Sequence, residues 1–277
     1  MNLSKMNRCN NFFTFKNIFL LVICISISEF SGAQIIPPAM GKAKSGSWFA
    51  LSLKQNIGQS KKWSSTSFIG QGWKSNPDGG SLLQKPQIFI LNEELFHQFA
   101  PQWQYSMALS YQLKDEYNST PPYEHKWPRQ RQEIRIYGRL SYSLKNNHLI
   151  FSPSFRPEFR KFYRPDFHRP EELFQIRTRF RLKLTVNLTP DKLHRMEITS
   201  EQLFSTSKKN GVDKWTKFAY KESRFAIYYT VSLRHAPITF NLGYMNNGVG
   251  IKNTYDVHIL GFDVVFTNPF RSKKQKK

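Results

Sequence analysis

Residues 174–187 read FQIRTRFRLKLTVN. Phe174, Ile176, Phe180, Leu182, Leu184 and Val186 share one parity, and Gln175, Arg177, Arg179, Arg181, Lys183 and Asn187 share the other. Successive side chains of a strand point to opposite faces, so this stretch predicts a β-strand with an apolar face and a face that holds all the charge. The same period recurs nearby. Between 131 and 144, Arg131, Glu133, Arg135, Tyr137 and Arg139 oppose Ile134, Ile136, Leu140, Tyr142 and Leu144. Between 149 and 160, Leu149, Phe151, Phe155 and Phe159 alternate with Ser152, Ser154, Arg156, Glu158 and Arg160, and Pro153 and Pro157 on the apolar face predict a bulge. Between 102 and 113, Trp103, Tyr105, Met107, Leu109, Tyr111 and Leu113 alternate with small or polar residues.

Less regular strands near 48–57, 62–73, 85–96, 194–204, 215–232, 237–245 and 254–266 bring the total to about eleven. Each is close to or above the roughly 9–11 residues that a tilted strand needs to cross a bilayer. Short connections near Ser60, Ala100, Asn146, Pro190 and Ala236 alternate with longer ones at 74–83, 114–128, 161–172, 205–214 and 246–253, as in an up-and-down membrane barrel. Closed bacterial barrels normally have an even strand number. The expected fold is therefore an all-β, antiparallel up-and-down transmembrane β-barrel of ten or twelve strands, with the miscount at 34–46 or 215–232.

A soluble lipocalin-like barrel or β-sandwich also alternates. Its outer face usually mixes Lys, Glu, Thr and Ser, whereas here arginine dominates, interleaved with Glu133 and Glu158. That chemistry fits a crowded, hydrated lumen in which guanidinium groups pair with carboxylates. Aromatic residues make up 15% of the chain, and Trp48, Trp63, Trp73, Trp103, Tyr142 and Tyr163 fall near strand ends, where interfacial girdles place them. Leu260, Phe262, Val264, Phe266 and Phe270 share a parity that resembles the aromatic-ended closing strand read by outer-membrane assembly machinery, although a basic tail, 271–277, follows.

The amino terminus points to export. Lys5, Arg8 and Lys16 precede the short apolar run Ile18 to Ile27, and Ser31-Gly32-Ala33 supplies small residues before Gln34, so 1–33 is expected to be a cleaved signal peptide. The apolar run is too short for a spanning helix. The expected organisation is leader 1–33, irregular segment 34–46, barrel 47–270 and tail 271–277. Both cysteines, Cys9 and Cys24, fall in the leader, which excludes disulfides and cysteine-bound zinc from the rest. The net charge of +22 falls only to +20 without the leader's Lys5, Arg8, Lys16 and Glu29. In an exported chain this excess points away from nucleic acid and towards anionic head groups, acidic solutes or an arginine-lined interior.

The Trp48 opening, Arg131-x-Glu133-x-Arg135, Arg156-x-Glu158-x-Arg160, Arg177-x-Arg179-x-Arg181, the Glu197 to Glu201 strand, Arg224 with Tyr228, and Leu242-Gly243-Tyr244 together resemble the family catalogued as domain of unknown function 2490, common in Bacteroidota. The resemblance spans about Trp48 to Phe266. It implies an outer-membrane β-barrel and carries no established activity, so no catalytic residue follows from it.

No residues assemble into a recognisable catalytic or cofactor motif. His97, His125, His148, His168, His194, His235 and His258 are scattered without metal-ligand spacing, and Asp166-x-His168 reads as loop polarity. Glu133, Glu158, Glu197 and Glu201 have the chemistry of paired catalytic carboxylates, but arginine at period-2 spacing beside them favours charge neutralisation. The expected lumen set is Arg131, Glu133, Arg135, Arg139, Arg156, Glu158, Arg160, Arg177, Arg179, Arg181, Glu197 and Glu201, with no metal and no cofactor. Three functions fit it: a narrow anion-preferring pore or solute-binding barrel, a structural or assembly barrel plugged by salt bridges, and, least favoured, a membrane-embedded envelope hydrolase. Outer-membrane lipid, the assembly machinery and small anionic solutes are the expected partners.

Overall fold

The computed structural model describes residues 37–251 and 254–270. The leader, residues 34–36 and the basic tail lie outside the described residues. The described chain forms strands β1 (Ser45–Ile57), β2 (Trp63–Lys74), β3 (Lys85–Gln98), β4 (Trp103–Tyr117), β5 (His125–Tyr142), β6 (Leu144–Lys145), β7 (Leu149–Tyr163), β8 (Glu172–Asn187), β9 (His194–Lys209), β10 (Ala219–Ser232), β11 (Ile238–Val249) and β12 (Tyr255–Thr267). Sequential neighbours pair antiparallel, and β1 closes onto β12. Because β6 is a two-residue continuation of β5 that pairs with the same β7, the barrel has eleven staves.

This corrects the expected ten or twelve. With an odd number of up-and-down strands the first and last run the same way, so the seam must be parallel. β1 and β12 accordingly pair in parallel from Ser45↔His258 to Lys54↔Thr267. The predicted bulge at Pro153 and Pro157 is also absent from the register. Both prolines pair in step with Leu182 and Thr178 of β8, and the pairings missing around them are on the β5 side. Residues four apart direct their backbone groups to the same neighbour, so both lost N–H donors fall on one seam and interrupt the β5–β7 ladder without shifting it.

The connections 58–62, 99–102, 146–148, 188–193 and 233–237, after Ile57, Gln98, Lys145, Asn187 and Ser232, lie at one end. Those at 75–84, 118–124, 164–171 and 210–218 lie at the other, where β1 begins. These are the short-turn end and the long-loop end.

The side-chain distribution is the reverse of a water-soluble core. Phe180, Leu182 and Ile136 are each 53% exposed on the outer wall, while Glu158 and Glu197 are 2% exposed inside. Aromatic clusters mark both ends of the outer wall. At the short-turn end Trp63 stacks on His97 at 4.1 Å and Trp103 meets Tyr142 at 4.8 Å. Towards the long-loop end Phe49 meets Trp73 at 5.6 Å, and the Tyr244 hydroxyl lies 2.7 Å from His258 Nδ1. Trp48, expected in a girdle, instead faces inward and is fully buried. Its indole lies flat over Gly70, where a Cβ would come within 2.3 Å of the ring.

Inside, the barrel has two chemically distinct halves. Met40, Ala43, Trp48, Ala50, Ile88, Ile90, Ala226, Tyr228, Met245, Val257 and Ile259 pack together along β1–β3 and β10–β12. Tyr228 lies across Gly243 and Gly261, each of which would clash with it if it carried a Cβ. The opposite half belongs to charge.

Candidate functional site

The charged half of the interior is built from β5, β7, β8 and β9, the strands whose sequence alternates most regularly. Glu133 accepts from Arg135 at 2.7 Å and from Arg160 at 2.5 Å. Glu158 meets Arg179 at 2.6 Å, Arg156 at 2.8 Å and Arg135 at 3.7 Å. Arg179 also reaches Glu201 at 3.4 Å, and Arg224 joins Glu201 at 3.5 Å to Glu222 at 2.8 Å. Arg177 bonds Glu222 at 3.3 Å. Arg156 stacks its guanidinium 3.5 Å from the centre of the Tyr137 ring. These contacts form one continuous network, in which each carboxylate bridges two or more cations.

The remaining named residues lie at its margins. Glu197 meets Lys183 at 3.6 Å. Arg139 bonds Glu94 at 3.2 Å, and Arg160 also donates to Gln175. Arg181 stands in register with Glu201 but forms no salt bridge among the described residues. Arg131 sits apart, near the long-loop end, bridging Glu116 at 3.4 Å and Glu172 at 3.2 Å.

The sequence reading missed Glu94, Glu222 and Arg224 as members of this network. Glu94 lies on β3, where Ile88 and Ile90 face in while Phe89 and Leu91 face out, so no apolar alternation marks the inner face. Glu222 follows the register shift between Tyr220 and Glu222, which breaks the parity needed to place it.

At the long-loop end the interior opens into a cleft of about 510 Å³. Lys126, Trp127, Arg131, Arg164, Lys209 and Lys221 line it, together with Glu116, Glu171 and Glu172. Arg131 and Lys209 are neutralised by these acids. Lys126, Arg164 and Lys221 form no salt bridge among the described residues, and Trp127 stands 90% exposed on the rim. The Lys209 ammonium and its hydrogen bond hold the Glu171 carboxyl below its ordinary range. On the outer wall a groove of about 640 Å³ is lined by Leu51, Leu53, Ile69, Leu91 and Leu109, with Glu93 bonded to Ser67 in its midst.

The histidines remain dispersed, and among the described residues no group of three or more His, Cys, Asp or Glu is placed to hold a metal. His168 Nδ1 lies 3.0 Å from Asp166 in an exposed loop. A family comparison matches residues 45–256 to the family described as protein of unknown function (DUF2490). The chain belongs to this family. A comparison with curated proteins returns no match. The family description assigns no function, so the role of the interior rests on its own chemistry.

Proposed function

We propose that this family member is a bacterial outer-membrane barrel with a closed interior, which binds small anionic solutes at its long-loop end and does not conduct them. One observation carries the membrane part: apolar side chains cover the outside all the way round while the buried charges lie inside. Monomeric soluble proteins rarely expose contiguous apolar patches above a few hundred Å², and here Phe49, Leu91, Leu109, Ile136, Phe180, Phe225, Leu242 and Phe262 lie exposed on eight different strands. From Phe174 to Val186 a strand tilted by about 40° rises roughly 30 Å, enough for an apolar band about 25 Å tall. Long loops outside and short turns in the periplasm give the orientation.

Closure is supported by the burial of inward polar groups on every side. Ser52, Thr66, Ser110, Thr185, Thr199, Thr230 and Asp263 are all buried, none more than 5% exposed. A water-filled channel would leave such a ring wet. The glutamates in the network act as counter-ions, since a buried charge without partners is costly, and we assign none of them a catalytic role. What stays open to solvent is the cleft with Lys126, Arg164 and Lys221 beside Trp127, a cationic pocket with an aromatic wall. Focused positive potential raises the local anion concentration.

Planar-bilayer recording and calorimetry test the two parts separately. The unmodified protein is expected to show no steady conductance, and steady ion flow would overturn closure. Glucose 6-phosphate is expected to bind, with glucose inert, and the affinity should fall in the Arg164→Ala, Lys221→Ala double variant and with added salt. Equal binding of the neutral sugar would refute the anion site.

A further inference from the structure

An odd strand count has a topological consequence: the start of β1 and the end of β12 lie at opposite ends of the barrel. The chain therefore enters β1 from the long-loop end, and the residues just before it must sit either above the rim or within the interior. Part of the segment is folded in: Met40 is completely buried and Ala43 nearly so, while Lys42 and Lys44 stay exposed. The Pro37 carbonyl accepts from Arg224 Nη1 at 3.4 Å, and Arg224 is itself a member of the charged network. The segment then folds over at Gly41, whose φ of +72° is the left-handed conformation that glycine adopts without penalty. Met40 packs against Gly46, and the Ser75 hydroxyl accepts from the backbone N–H groups of Lys44 and Ser45 at 3.2 and 3.0 Å.

The wall is shaped for this segment. A Cβ on Gly72 would lie 2.5 Å from Met40 Cε and 2.9 Å from Ile88 Cγ2, so the glycine forms the notch into which the methionine fits. Size gives the same answer. About eight strands make a barrel whose own inward side chains fill it, and eleven leave additional space. Met40, Ala43 and the backbone of 37–44 occupy that space beside Trp48, Ile88 and Ile90.

We propose that residues 37–44 are a plug: a folded-in strap, bound by the Gly72 notch and by Arg224, that closes the interior towards the long-loop end. Displacing it opens a passage bordered by Arg224 and the charged half. The inference rests on the closed-barrel reading, and the experiment separates the two. In a Cys9→Ser, Cys24→Ser background, Met40→Cys is expected to react with a membrane-impermeant maleimide on the order of 100-fold more slowly than Leu83→Cys, an exposed loop position at the same end, because a packed site reacts only when it opens. Adding Gly72→Val fills the notch and should bring the Met40→Cys rate up towards that of Leu83→Cys. Deletion of residues 37–43 should convert a silent barrel into one with stable conductance steps. Equal labelling of the two cysteines in the unperturbed barrel would overturn the strap. So would a silent deletion variant that still folds, as judged by heat-modifiable migration. If the deletion does not fold, conductance of the Gly72→Val variant decides, and its silence would overturn the plug. Steady conductance of the unmodified chain with Met40→Cys still protected would instead refute closure while leaving the strap docked.

Discussion

Phe180→Arg separates a lipid-facing wall from a water-facing one. Phe180 is near the middle of β8, half-exposed on the outer face, with Phe155 at 5.0 Å and Phe204 at 6.3 Å. At the bilayer midplane a lipid-facing arginine costs about 2–4 kcal/mol. Since 1.4 kcal/mol is a factor of ten, the folded-to-unfolded ratio should fall roughly 30-fold to several hundred-fold. On a hydrated surface the same change falls within about ±0.5 kcal/mol, apart from the loss of two ring contacts worth about 0.5–1.5 kcal/mol each. Phe180→Ala removes those contacts without adding charge and serves as the reference. Reversible urea unfolding in phospholipid vesicles, read by tryptophan fluorescence, gives the difference between the two variants from the shift in midpoint at constant slope. An arginine variant no less stable than the alanine one would refute a lipid-facing position for this wall, and with it the membrane reading.

Further outcomes follow from the same geometry. Glu93→Leu should stabilise the vesicle-folded barrel by up to about 2 kcal/mol, because it removes a carboxylate from an apolar outer groove; destabilisation in the same urea assay would contradict this. Glu158→Ala leaves Arg156, Arg179 and Arg135 short of their shared counter-ion and should cost about 3–5 kcal/mol, whereas Arg131→Ala, at the partly exposed edge of the network, should cost about 1 kcal/mol or less. Gly70→Ala drives a methyl into the Trp48 ring and should cost about 1–3 kcal/mol, with Trp48→Leu in the same chain recovering part of it. In the 188–193 turn, hydrogen bonds from Thr189, Arg234 and Leu193 hold the Asp191 carboxyl down at about 2. A depressed carboxyl favours the folded turn above the unfolded value near 3.9, and the benefit is lost as pH falls through about 2. Carbon-detected NMR titration should therefore give a midpoint near 2 that rises in Arg234→Ala.

How much was legible in the sequence depended on whether one residue type sat alone on one parity. β8 and β5 read directly, because arginine on one face and Phe, Ile or Leu on the other leave only one way to orient the strand in a barrel. Trp48 did not, because an aromatic near a strand end suits a girdle equally well; what turned it inward was Gly70 on the neighbouring strand, and cross-strand pairing is invisible until the register is known. Glu94 was hidden for the opposite reason: Ile88 and Ile90 line the apolar half of the interior, so β3 is apolar on both faces along that stretch.

The strand number shows where a general rule outweighed a local reading. Eleven segments were visible in the chain, and the preference for even barrels moved the expectation to ten or twelve. Evenness follows from antiparallel closure, and nothing in elementary hydrogen bonding forbids a parallel seam, which is only slightly weaker per residue. Here the seam is ten residue pairs long, Ser45–Lys54 against His258–Thr267. Its inner side carries Trp48, Ala50 and Ile259 towards the long-loop end and the polar Ser52, Lys54 and Asp263 towards the short-turn end. Part of the apolar half of the interior thus lies behind the one pairing that an even barrel would lack. The same odd count puts the beginning of β1 and the end of β12 at opposite ends, so the parallel seam and the entry of 37–44 at the long-loop end share one topological origin, while the fit of Met40 into the Gly72 notch is what folds that entry inward.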